Sequence, residues 1–99
     1  MDTHEKFRNS VLRNFFTEDG RLKQIPAQMK RKLVVFEYLV SQLREDLKYT
    51  EKEINEYITR HHEDYCTIRR EFIIKQFMTR ENNMYQLNPK ELWADWRVL

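Results

Sequence analysis

The run YTEKEINEYITRHHEDYCTIRREF, Tyr49–Phe72, decides the fold. Thr50 and Glu53 form a T-x-x-E capping box, in which a hydroxyl and a carboxylate satisfy two otherwise unpaired N–H groups. Tyr49 and Ile54 take the two positions of a hydrophobic staple. A helix therefore starts at Thr50, turns Ile54, Tyr57 and Ile58 inward, and ends near Arg60. His61-His62-Glu63-Asp64 makes the turn, and a further helix runs from about Asp64 to Lys75 with Tyr65, Ile68, Phe72 and Ile73 facing the core. Two short helices joined by a tight turn make a helix-turn-helix. Directly behind them, Phe77–Arg80 and Met84–Leu87 read as short strands around Asn82-Asn83, and Asn tolerates the positive φ of a two-residue hairpin turn. A hairpin in that place is a wing.

The flanks add helices. Phe7, Val11, Leu12, Phe15 and Phe16 recur at helical spacing over Thr3–Phe16, with Asp2 and Glu5 as an Asp-type capping box. Thr17-Glu18-Asp19-Gly20 breaks that helix, and Arg21–Ile25 reads as a short extended piece. Pro26 suits the first turn of a long helix reaching about Arg44, along which Met29, Leu33, Phe36, Val40 and Leu43 form one stripe widened by Leu39. Asn88-Pro89-Lys90-Glu91 combines a cap, a first-turn Pro and an acid, which predicts a last helix over about 89–97 carrying Leu92, Trp93 and Trp96 on one side. The fold class that results is mainly α with a small β-hairpin: a winged helix-turn-helix plus N- and C-terminal helices, in one domain over residues 1–99.

Composition limits the function. Ninety-nine residues fit one core, and 40% hydrophobic content with 13% aromatics is enough to pack it. A lone cysteine, Cys66, forms no internal disulfide, which fits a reducing compartment. No apolar run approaches a membrane span, and MDTHEKFRNS is too polar for a signal peptide, so a cytoplasmic protein is expected. The net charge of +2 conceals an uneven distribution: +4 over 1–32, −3 over 33–59, +2 over 60–80 and −1 over 81–99. Two basic stretches flank an acidic one, which points to an anionic partner.

The runs FFTEDGRLKQIP (Phe15–Pro26), KRKLVVFEYL (Lys30–Leu39) and Tyr49–Phe72 together resemble the bacterial family called domain of unknown function 2087, over about Phe15–Leu87. Such domains occur alone or attached to DNA-binding transcriptional regulators, so the resemblance implies a regulatory context; it carries no site residues. Two departures stand out. The family usually has Gly after the fourth helix, where this chain has Gln76, and the Trp-bearing terminal segment lies outside the resemblance.

In a winged helix the fourth helix enters the major groove. With Tyr65, Ile68 and Phe72 inward, Thr67, Arg70, Glu71 and Ile74 face out: Arg70 to read guanine, Thr67 to meet a phosphate or a thymine methyl. Glu71 opposes phosphate, and an exposed Ile74 suits a protein partner. Arg69, near the buried arc, reads as a paired structural residue, and Cys66 as core-facing. Lys30, Arg31 and Lys32 lie in the first turns of a helix, where the macrodipole disfavours cations by about a few tenths of a kcal/mol. With Arg21 and Lys23 they could form a phosphate-binding strip, and Arg80 on the wing either reaches phosphate or stacks on Tyr85. Trp93 and Trp96 either cover the first helix or anchor a dimer, the latter being favoured because many groove-reading proteins are symmetric. His61, His62 and Cys66 match no metal-site spacing, and no catalytic constellation, cofactor motif or small-molecule site is evident. Two functions follow: a DNA-binding or transcription-associated module bound to double-stranded DNA without a cofactor, or a protein–protein module anchored by Ile74 and the Trp pair.

Overall fold

A computed structural model describes residues 2–99. Its elements are α1 (Thr3–Phe15), α2 (Met29–Val40), β1 (Tyr49–Thr50), α3 (Glu51–Thr59), α4 (Tyr65–Ile74), β2 (Met78–Glu81) and β3 (Met84–Leu87), followed by two single 3₁₀ turns, Lys90–Leu92 and Trp96–Val98. The strands form an antiparallel sheet in the order β1-β3-β2. The architecture is mainly α with a small hairpin, as expected, and the third strand is an addition: the two residues ahead of α3 pair Tyr49 with Tyr85 and Thr50 with Met84. That pairing fastens the hairpin to the start of α3.

Local chemistry sets the element ends. Asp2 Oδ1 accepts from the Glu5 N–H at 2.8 Å and caps α1. The Thr50 hydroxyl accepts from the Glu53 N–H at 3.1 Å, and the Glu53 carboxylate accepts from the Thr50 N–H at 2.8 Å, closing the capping box of α3. Asp64 caps α4 through the Thr67 N–H. Asn82 and Asn83 have φ of 52° and 63°, the pair of positive values a two-residue type I′ hairpin turn requires.

The C-terminus of α4 is a Schellman motif. The Phe77 N–H donates to Phe72 O at 2.9 Å and the Gln76 N–H to Ile73 O at 3.1 Å, with Gln76 left-handed at φ 65°. The apolar contact that accompanies the motif is present as an edge-on Phe72–Phe77 ring pair with centroids 6.5 Å apart. Gln76 thus occupies the left-handed position that the motif favours for glycine.

Helix α2 is shorter than the pattern predicts. It begins at Met29 behind Gln28, while Pro26 is buried in the preceding loop, and it stops at Val40, where Ser41 Oγ donates to Tyr38 O at 2.7 Å. Four consecutive residues, Leu33–Phe36, are buried, so the helix is covered on several sides rather than along one stripe, and Met29 at the expected end of that stripe is 42% exposed. One hydrophobic cluster runs from Val11 on α1 through α2, α3, α4 and the hairpin to Trp96.

The expected helix over 89–97 is absent. Tertiary bonds interrupt it: the Ala94 N–H donates to Lys75 O at 3.0 Å and, just ahead of the segment, the Asn88 N–H to Phe77 O at 2.9 Å, binding the chain to the end of α4 and the base of the hairpin. The Asn88 side chain, expected to cap, donates to Gln76 O instead and accepts from Thr79. Asp95 then starts a separate turn by accepting from the Arg97 N–H. No helix among the described residues is long and apolar enough to cross a membrane.

Candidate nucleic-acid interface

The two tryptophans do not share a face. Trp93 Nε1 donates to Asn88 O at 2.8 Å, and its ring meets Phe77 edge-on at 5.4 Å. Trp96 is only 1% exposed and packs on α1, 5.8 Å from Phe7 and 5.5 Å from His4. The intramolecular alternative therefore holds for Trp96: covered by its own chain, it cannot anchor a partner in this fold.

The strip expected from Arg21, Lys23 and Lys30–Lys32 is not assembled as one surface. A tight loop closed by the Phe16–Leu22 bridge carries Arg21 to the end of α3, where its guanidinium donates to Thr59 O at 3.2 Å and Arg60 O at 3.1 Å. A cation on the last carbonyls of a helix is a C-terminal cap. Lys30 Nζ lies 4.7 Å and Arg31 Cζ 5.5 Å from the centroid of the Phe7 ring, whose other neighbour is Trp96. Cation–π contact supplies a structural reason for cations at an unfavourable helix end. Lys23 is exposed and Lys32 half-buried, and among the described residues neither side chain makes a hydrogen bond or ion pair.

Cations do converge between α4 and the hairpin. An open cleft there is lined by Glu51, Arg69, Arg70, Ile73, Ile74, Arg80 and Tyr85. Its centre is one carboxylate oxygen, Glu51 Oε1, at the first turn of α3. It accepts from the Tyr85 hydroxyl at 2.8 Å and lies 3.9 Å from Arg80 Nε and 4.0 Å from Arg69 Nε. Burial together with the hydrogen bond to Glu51 pushes the Tyr85 phenol above its ordinary value. Arg69 also donates to Asn55 Oδ1 on α3, which makes it the paired structural arginine the helical phase implies. Arg80 donates from Nη2 to Asn83 Oδ1 at 2.7 Å and stacks on Tyr85, its cross-strand partner, at 6.0 Å. Arg70 is exposed and, among the described residues, in no ion pair; its charge helps hold the Asp64 carboxyl below the usual range, after the hydrogen bonds from Thr67.

The remaining expected surface residues divide. Thr67 is half-buried in the first turn of α4, and Ile74 is 56% exposed at the edge of the cleft. Glu71 does not project into solvent: it is half-buried, with Oε2 shielded and unpaired. Cys66 is exposed, contrary to expectation, because it lies about 200° around the helix from the fully buried Ile68. His61 and His62 serve the turn, with His61 Nδ1 2.9 Å from Gly20 O and His62 Nδ1 accepting from the Asp64 N–H at 3.0 Å.

The family model described as an uncharacterized protein conserved in bacteria (DUF2087) matches residues 21–87. The chain belongs to this family. The match takes in α2, the three-stranded sheet and both helices of the pair, and so every residue that lines the cleft; α1 and the two terminal turns lie outside it. No curated protein and no solved structure matches.

The sequence points to Arg70, Arg80 and Ile74 of this cleft and to the stacking of Arg80 on Tyr85, but not to Glu51 and Asn55 as its framework. The available signal was the strand pattern itself: had Tyr49–Thr50 been read as a strand beside Met84–Tyr85, Glu51 would have fallen next to the hairpin.

Proposed function

We propose that this member of the family is a winged-helix module that binds double-stranded DNA through α4 and the β2–β3 hairpin, without catalysis or cofactor. The observation that carries the reading is the cleft between those two elements, whose lining holds three arginines, Arg69, Arg70 and Arg80, against one carboxylate, Glu51, an excess of +2. The chain order helix–strand–helix–helix–hairpin supports it, since it sets the hairpin beside the helix that a helix-turn-helix inserts in the major groove. Arg70, exposed and in no ion pair among the described residues, is the base reader; Thr67 and Arg80 take backbone phosphates, and Lys23 and Lys32 add charge at a distance.

Anisotropy titrations of labelled duplexes at two salt concentrations test this. Arg70→Ala costs about 1–3 kcal/mol at one base pair and relaxes preference there. Arg80→Ala weakens all duplexes alike and flattens the log–log salt slope by about 0.9 for the lost phosphate contact. A wild type that binds no duplex tighter than roughly tens of micromolar at low salt, weaker than ordinary non-specific binding, sinks the reading. The exposure of Ile74 beside Ile73 favours a second reading in that event, a contact with a second copy of the chain through the same face. Ile74→Asp would then abolish self-association in sedimentation runs.

A further inference from the structure

We infer that Glu51 is a counter-charge built into this cleft, attracting Arg69 and Arg80 in the free protein and opposing the backbone phosphate that Arg80 receives. The inference rests on the cleft being a DNA interface and adds the group that limits its affinity.

The distances separate what Glu51 does from what it leaves undone. Its Oε1 takes one hydrogen bond, from the Tyr85 hydroxyl at 2.8 Å. At 3.9 Å from Arg80 Nε and 4.0 Å from Arg69 Nε it attracts both guanidinium groups without a hydrogen bond to either. Among the described residues Arg80 donates only through Nη2, to Asn83, and Arg69 only through Nη1, to Asn55. A guanidinium has five N–H donors, so most of those of Arg80 remain for an incoming oxyanion, whose charge-assisted bonds are those Glu51 does not make. The side chains of Glu51 and Arg80 are 43% and 50% exposed, which places them where a phosphate can arrive.

Glu51 is held beside the arginines. Its backbone begins α3 beside a strand pair, and its carboxylate is tied to Tyr85. A phosphate bound by Arg80 therefore sits near a negative charge. Two unit charges about 6 Å apart in a water-like medium correspond to about a threefold change in Kd, and less screening raises it, so about three- to tenfold is expected.

The experiment measures the Kd of a fluorescein-labelled, mixed-sequence DNA duplex for the wild type, Glu51→Gln, Arg80→Gln, the double variant and Glu91→Gln. Glutamine keeps an acceptor for Tyr85 and removes the charge; Glu91 is exposed and outside the cleft, so its variant makes the same change in net charge elsewhere. Glu51→Gln should bind about three- to tenfold tighter at low salt, with a gain that fades as salt rises. Most of that gain should vanish in the Arg80→Gln background, and Glu91→Gln should not reproduce it. Equal or weaker binding by a folded Glu51→Gln overturns the inference, as does an equal gain from Glu91→Gln. Glu51→Ser removes the same charge and decides the matter should the glutamine variant melt below the assay temperature. A wild type that binds no duplex overturns the DNA reading itself, a result distinct from tight wild-type binding that is indifferent to Glu51.

Discussion

Gln76→Gly should stabilise this protein. Gln76 holds the left-handed position of the Schellman motif that ends α4, at φ 65°, where a Cβ crowds the following carbonyl at a cost of about 1–2 kcal/mol. Glycine removes that strain but loses more backbone freedom on folding, about 0.5–1 kcal/mol. The difference is a gain of roughly 0.5–1 kcal/mol, or about 2–8 °C in Tm for a domain of this size. Nothing else of consequence is lost: the side chain is exposed and, among the described residues, makes no hydrogen bond, while the backbone carbonyl that receives the Asn88 amide remains. Urea denaturation followed by circular dichroism should show a higher midpoint with an unchanged slope. Gln76→Ala separates strain from side-chain loss, since alanine keeps the Cβ and should leave the midpoint within about 0.5 kcal/mol of wild type. An alanine variant as stable as the glycine one, or a glycine variant less stable than wild type, would refute the strain argument.

The remaining predictions concern α3. Thr50→Ala removes one half of the capping box and should cost about 0.5–2 kcal/mol, read as a lower urea midpoint. Burial pushes the Tyr57 phenol, which donates to Leu39 O at 2.6 Å, up to about 12 from its ordinary 10.0. The folded state holds that proton more tightly, so the contribution is whole below pH 10 and lost progressively as pH rises through about 12. Urea midpoints measured along this range should fall, and Tyr57→Phe should remove Tyr57's share of the fall while lowering the midpoint at neutral pH.

The parts of the fold that were legible in the sequence are those whose cause is local. A capping box, an Asn-Asn turn and the phase of Ile54 and Ile58 or of Ile68 and Phe72 act within a few residues, and each stands in the structure where the pattern puts it. The terminal segment failed for the opposite reason. Asn88-Pro89-Lys90-Glu91 has the local chemistry of a helix start, but Asn88 and Ala94 bond to Gln76 and Lys75, distant residues that no window around the segment contains. Local propensity yielded to tertiary hydrogen bonds, as it commonly does in a short segment. Trp96 followed the same rule: its spacing from Trp93 implied a shared face, whereas packing against Phe7 buried it on its own.

The candidate site divides along the same line, which explains why its cations were half visible. Arg70 could be placed from helical phase alone, and Arg80 from alternation on a strand. Lys30 and Arg31 were equally conspicuous as charges, yet their meaning depends on Phe7 lying across from them on α1, which converts an apparent anion site into a cation–π contact. Glu51 shows the converse. In the sequence it is an acid in the first turn of a helix, a position the macrodipole favours and which invites no further question. Only the pairing of Tyr49–Thr50 with β3 sets it against Tyr85, Arg69 and Arg80, residues that lie on the hairpin and α4. The electrostatics of this surface are therefore a property of the strand register. A one-residue slip of β1 against β3 would turn alternate side chains to the opposite face, leaving the same arginines without their counter-charge.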